Sequence, residues 1–90
     1  MEKEYKPKVL IVDDEKGLRM GTKRLLESEG YSVVTAENGT EGIEAGTNTE
    51  FDLAIIDLKM PDIEGTRVLK RIREVHPNTV CYIATAYASY

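Results

Sequence analysis

One cysteine, Cys81, stands in the 90 residues of this chain, so neither an intrachain disulfide nor a cysteine zinc site can form. No apolar stretch comes near the ~20 residues needed to cross a bilayer, and Met1 is followed by Glu2-Lys3-Glu4 rather than by a signal-peptide core. An excess of base is lacking as well. The formal charge is −4, which argues against direct nucleic acid binding through a general basic surface. Internal repeats and low-complexity segments are also missing. What remains is ordinary globular composition, 41% hydrophobic and 31% charged, at a length that suits one small domain. These features predict a soluble protein without membrane contact in a reducing compartment, the cytoplasm.

Residues 1–7 are charged and carry no apolar period, and are expected to form an N-terminal tail. Val9-Leu10-Ile11-Val12 then suits a strand buried on both faces, as parallel sheets require. It stops at Asp13-Asp14-Glu15, acids that also suit the start of a helix. From Lys16 to Glu29 the pairs Leu18/Leu25 and Thr22/Leu26 fall at helical spacing, and Gly30 supplies a stop. Tyr31 to Ala36 reads as a second strand closed by the turn signal Asn38-Gly39. A poor helix is expected from about Thr40 to Ala45, weakened by Gly42 and ended by Gly46. Phe51 to Ile56 is the third strand, ending at Asp57. Gly65 opens a helix whose apolar stripe is Val68, Leu69, Ile72 and Val75. Val80 to Ala84 is a fourth strand, followed by Thr85. Alternation of this kind implies a parallel α/β sheet with right-handed crossovers and helices on both faces.

The strand ends carry the chemistry. In open α/β sheets, ligands sit beyond the carboxyl ends of the strands, where the strand order reverses. If the order is 2-1-3-4, strands one and three are neighbours about 4.8 Å apart, and Asp13, Asp14 and Asp57 can converge. Carboxylates that close repel by about 4 kcal/mol per pair at 4 Å and an effective dielectric of 20, so the site either protonates or holds a cation. Hard oxygen ligands suit Mg2+ better than zinc. A carboxylate neutralised by a metal can act as a nucleophile toward phosphorus, with Thr85 and adjacent backbone N–H groups offering neutral donors to the phosphoryl oxygens.

Val9 to Glu15, Phe51 to Asp57 with Met60-Pro61-Asp62 and Gly65, and Ala84-Thr85-Ala86-Tyr87 together resemble the receiver domain of bacterial two-component response regulators, from about Lys8 to Tyr90. The resemblance implies a flavodoxin-like doubly wound fold over residues 8–90. It implies that Asp57 is the phosphoacceptor, taking a phosphoryl group from the phosphohistidine of a sensor histidine kinase. Asp14 and Asp57 would bind Mg2+ directly, Asp13 mostly through water, and the Lys59 backbone carbonyl would complete the protein ligands. Thr85 would be the switch hydroxyl, Ala86 a neighbouring backbone donor, and Tyr87 an aromatic that feels the switch. Such a module signals. It is not an enzyme acting on an outside substrate.

The chain departs from the family pattern at its C-terminal side. Receivers continue into a fourth helix, a fifth strand and a fifth helix, and the lysine that ends the fifth strand has no counterpart after Lys70. Tyr87-Ala88-Ser89-Tyr90 resembles the opening of the fourth helix in enhancer-binding transcriptional activators. The expectation is therefore a receiver truncated to four strands and three helices. The alternative function is a fragment that binds metal, does not switch, and self-associates through the exposed edge of strand four. Two other classes fit less well. An aspartyl phosphohydrolase resembling haloacid dehalogenases needs a second aspartate where Lys59 stands, and a Rossmann nucleotide site needs glycines where Asp13-Asp14-Glu15-Lys16 puts acid. Taken singly, Asp52 reads as a turn or cap residue, His76 as a solitary surface residue, and Cys81 as core.

Overall fold

Seven elements alternate along the chain in this computed structural model, which describes residues 5–84: β1 (Lys8–Val12), α1 (Lys16–Ser28), β2 (Ser32–Ala36), α2 (Gly39–Asn48), β3 (Leu53–Asp57), α3 (Gly65–Val75) and β4 (Val80–Ala84). The four strands form one parallel sheet in the order β2-β1-β3-β4, as the resemblance to receiver domains implies. α1 lies over β1 and β2, while α2 and α3 pack on one another across the opposite face.

β1 is the central strand and its composition follows from that position. Val9, Leu10, Ile11 and Val12 are all buried, because helices cover both of its faces. Leu10, Val12, Ala54 and Ile56 face α2 and α3 and join Ala36, Phe51, Val68 and Ile72 in the main core. On the α1 side the cover is thinner toward β4: Leu53 and Ile55 are half-buried, and Val80 and Tyr82 are exposed. Leu18 and Leu25 of α1 also stand exposed, although their helical spacing marks them as an apolar face. Val75, at the end of the α3 stripe, is exposed as well.

The glycine stop after α1 is realised as expected. Gly30 has φ +97°, and the amides of Gly30 and Tyr31 donate to Glu27 and Leu26, which closes the helix end. Residues 5–7, just before β1, are tied down more than a free tail would be. Ser32 donates to the carbonyl of Pro7, and Asp52 accepts from the Lys8 amide (2.8 Å) and the Tyr5 hydroxyl. Asp52 thus acts as the cap-like residue its position suggested.

α2 departs most from the sequence expectation. It runs ten residues, to Asn48, and Asn38 is its N-cap rather than the end of a turn: its side chain accepts from the Glu41 amide at 2.8 Å. Gly42 and Gly46 do not mark a weak helix. They are the points where α2 meets its neighbours, since a Cβ on Gly42 would lie 2.7 Å from Val12 Cγ1 and one on Gly46 would lie 2.4 Å from Ile72 Cδ1. Val12 is β-branched and fully buried, so it cannot swing aside. Gly42→Ala is therefore expected to destabilise by about 1 kcal/mol net, because overpacking of ~1–3 kcal/mol outweighs a helix-propensity gain of ~1 kcal/mol. Calorimetry should show Tm falling by about 4–8 °C. An unchanged or higher Tm would mean that helix propensity governs the position.

Candidate functional site

Parallel register sets the site. Val12 pairs with Ile56, so Asp13 follows the end of β1 directly beside Asp57 at the end of β3. Asp13, Asp14 and Asp57 each offer a carboxylate oxygen, and these oxygens all lie within 4.8 Å of one another. Two of the three side chains are half-buried and Asp14 is exposed.

The acids after β1 have separate tasks. Glu15 is the N-cap of α1, with its Oε1 accepting from the Leu18 amide at 2.6 Å. Asp13 accepts from the Glu15 amide (2.9 Å), which turns the chain and leaves its other oxygen for the cluster. The helix start therefore uses Glu15 and frees Asp13 and Asp14. Arg19, 93% buried, braces the same corner by donating from Nη1 to the Asp13 carbonyl at 2.9 Å. Sequence reading assigns Arg19 no role, since a charged residue at that helix position reads as solvated.

Electrostatics follow from the crowding. Burial pushes the Asp57 carboxyl above its ordinary value of 3.8, and the charges of Asp13 and Asp14 push it further. The donor set fits a hard divalent cation. Oxygens sharing an ion of Mg2+ size, bound at about 2.0–2.1 Å, sit about 2.9 to 4.1 Å apart, so the cluster needs only a small closure or an intervening water.

The turn between β3 and α3 is closed at its base. The Gly65 amide donates to the Leu58 carbonyl at 2.8 Å, and the Leu58 amide donates to Ala84 at 3.0 Å. Lys59 lies in this turn, exposed, two residues past Asp57. On the far side of the turn Asp62 accepts from the amides of Gly39 and Thr40 (2.9 Å each) and from the Thr40 hydroxyl (2.8 Å). These bonds, the Thr40 amide first, hold the Asp62 carboxyl down at about 2. Met60-Pro61-Asp62 enters the sequence reading only as a motif. The bond from Asp62 to α2 has no sequence signal, because 22 residues separate the partners.

His76 is half-buried rather than free at the surface, with Nε2 at 3.0 Å from the Thr47 carbonyl, joining the ends of α3 and α2. Cys81 is half-buried against the core, and burial raises its thiol. Thr85, Ala86 and Tyr87 lie outside the described residues.

Comparison with known proteins places this geometry in context. The family model for the response regulator receiver domain matches residues 9–90. The chain is 42% identical over 81 residues to transcriptional regulatory protein GlrR of Escherichia coli (strain K12), covering 90% of this chain and 18% of that protein. It thus spans less than a fifth of that curated relative. Among solved structures it is similar to a CheY-like response regulator receiver domain protein from Methanospirillum hungatei JF-1, at 39% identity and a TM-score of 0.89, covering 94% of this chain and 68% of that one. It is also similar to response regulator protein TrrA from Thermotoga maritima, solved in complex with Mg(2+)-BeF, at 38% identity and a TM-score of 0.85, covering 93% and 73%.

Proposed function

The chain belongs to the response regulator receiver domain family, and from that premise we propose that residues 8–90 act as a phosphoacceptor module, taking a phosphoryl group on Asp57 from the phosphohistidine of a sensor histidine kinase. Receiver domains are signalling modules of two-component systems rather than enzymes turning over an outside substrate. Among the described residues no helix is long and apolar enough to cross a membrane, which is compatible with the cytoplasmic location proposed here. The observation that carries the reading is the convergence of Asp13, Asp14 and Asp57 at the ends of adjacent strands.

In this reading Asp14, Asp57 and the Lys59 backbone carbonyl would hold Mg2+ directly, and Asp13 largely through water. Bound there, Mg2+ supplies positive charge that offsets the carboxylates and the incoming phosphoryl oxygens. Its assignment is supported by the oxygen-only donor set and by the Mg(2+)-BeF complex of TrrA. An Asp57 oxygen attacks phosphorus in line as the P–N bond to the donor imidazole breaks. The imidazole nitrogen leaves with the bonding pair and takes up a proton. Arg19 and the Glu15 amide hold Asp13 in place, and the Gly65–Leu58 bond holds the backbone of the Asp57 turn. Thr85, with the Ala86 amide, would donate to the phosphoryl oxygens, and Tyr87 would follow that movement.

Incubation with acetyl phosphate and Mg2+, followed by intact-mass measurement, tests the proposal. The expected result is one acid-stable, base-labile phosphoryl adduct, dependent on Mg2+ and abolished in Asp57→Asn. An adduct that persists in Asp57→Asn, or an equal yield in excess chelator, would remove the reading. The alternative of a metal-binding module that does not switch and self-associates has one observation in its favour. Among the described residues β4 is paired on one side only, and its Val80 and Tyr82 are 56% and 62% exposed. Under that alternative Mg2+ binds, no adduct forms, and the gel-filtration volume falls as concentration rises.

A further inference from the structure

We propose that Asp62 is a positioning residue for the metal site, clamping the β3–α3 turn onto the N-terminus of α2 so that the Lys59 carbonyl is held where the cation needs it. The inference rests on the reading of Asp13, Asp14, Asp57 and Lys59 as the metal-binding groups of a phosphoacceptor, and adds to it a residue that touches neither metal nor phosphorus.

The first four amides of any helix lack intrahelical partners. Of those inside α2 the third, the Glu41 amide, is satisfied locally by the Asn38 side chain, and the regular ladder begins with the Gly42 amide on the Asn38 carbonyl. Glu41 in turn accepts from the amide of Glu37, the residue before the N-cap, at 3.1 Å, which ties the entering chain to the helix start. The remaining two amides, Gly39 and Thr40, are taken by one carboxylate from the β3–α3 turn. Gly39 is buried beneath the turn and Thr40 is exposed; with the turn withdrawn, water would reach both amides, so α2 gains little that solvent could not supply. The turn gains more.

Residues 59–63 carry no other hydrogen bond that leaves the turn among the described residues; the Ile63 amide bonds back to Asp62 itself. Between the base at Leu58 and Gly65 and the far side at Asp62, Lys59 sits on the intervening stretch. The contact is shaped as well as charged. A Cβ on Gly39 would lie 2.8 Å from Ile63 Cβ and 3.2 Å from Asp62 Oδ1, so the bare glycine is what lets the turn close on the helix. α2 itself rests on Val12 through Gly42, one residue before Asp13. Contacts therefore connect the β1 end through α2 to Asp62, which lies three residues along the same turn from Lys59. Groups hydrogen-bonded directly to a metal ligand commonly change metal affinity by about 10–100-fold when removed, and Asp62, acting through the turn, belongs at the low end of that range.

The test compares wild type, Asp62→Ala, Asp62→Asn and Gly39→Ala. Mg2+ affinity is measured by calorimetry without a phosphodonor, amide exchange of residues 39 and 40 in chelator, and acetyl phosphate labelling against Mg2+ concentration. Asp62→Ala is expected to weaken Mg2+ binding about tenfold and to lose exchange protection at both amides. In labelling, the loss should fall mainly on the half-saturating Mg2+ concentration rather than on the rate at saturation. Asp62→Asn, which keeps one acceptor for Gly39, should lie between. Gly39→Ala, which pushes Ile63 away from the other side of the contact, should reproduce the weakening with the carboxylate intact. Lost protection with unchanged Mg2+ affinity in both Asp62→Ala and Gly39→Ala would overturn the inference and leave Asp62 as a helix cap only. If wild type binds Mg2+ but takes no label, the phosphoacceptor reading falls while the affinity comparison still decides the role of Asp62. If wild type binds no Mg2+, both fall.

Discussion

Gly65→Ala is expected to destabilise the domain by about 3 kcal/mol, at the upper end of overpacking costs, and to lower Tm by roughly 12–24 °C. The reason is the identity of the neighbours. A Cβ at position 65 would lie 2.1 Å from the Asp57 carbonyl oxygen, 2.9 Å from its carbonyl carbon and 3.0 Å from Leu58 Cα. All three are backbone atoms, and no side-chain rotation relieves them. The strand end must move, and it carries both the Asp57 side chain and the Leu58 pairing to β4. A shift of order 1 Å in a reacting group can cost about 100-fold in rate. Labelling at 10 °C, where the variant remains folded, should therefore slow by about that factor. Thr66→Ala, one residue on and exposed, is the control and should stay within about 0.5 kcal/mol of wild type. Equal stability of Gly65→Ala and wild type would mean that the turn is looser than its hydrogen bonds indicate.

How much of this was legible in the sequence depends on whether the signal was local. β1 was legible because a strand covered on both faces must be apolar throughout, and Val9 to Val12 is an unbroken run. The acidic cluster was legible because Asp13 and Asp57 are the first polar residues after apolar strands, and the order β2-β1-β3-β4 makes those ends neighbours. The separate duties of Glu15 and Asp13 were not. Adjacent acids look alike until one of them is seen bonded to the Leu18 amide. Gly42 and Gly46 misled because propensity counts a glycine as a fault in a helix, whereas here each meets a core side chain from another element. Leu18 and Leu25 were legible as an apolar pair but not as to their cover, since helical period identifies a stripe and not what lies against it, and both stand exposed. Asp62 and Arg19 were invisible because their partners are chiefly backbone groups, two amides for Asp62 and a carbonyl for Arg19, which any residue supplies.

The second large effect is an inversion of stability order. Without metal, Asp57→Asn is expected to be the more stable protein. Burial and the charges of Asp13 and Asp14 raise the Asp57 carboxyl above 3.8, so its ionised form is less favourable in the folded state than in the unfolded one. The penalty is absent below pH ~4, grows as pH rises through the raised folded value, and is fully present above it. The bare repulsion of about 4 kcal/mol per close pair is much reduced at a site open to solvent, leaving about 1 kcal/mol, or about 4–8 °C in Tm. Metal reverses the balance. A cation bound only by the folded state at 100 times its dissociation constant stabilises by about 2.7 kcal/mol, more than the penalty it offsets. Wild type should therefore melt below Asp57→Asn in chelator and at or above it in saturating Mg2+, and the variant, lacking one of the three carboxylates, should respond far less. Acidifying the chelated samples from pH 7 toward 4 should narrow the gap, because only wild type sheds the charge. Scanning calorimetry over Mg2+ and pH reads all of this at once. A wild type that is already the more stable protein in chelator would contradict the claim that these carboxylates are held together against their own repulsion, and with it the physical reason for a cation at the ends of β1 and β3.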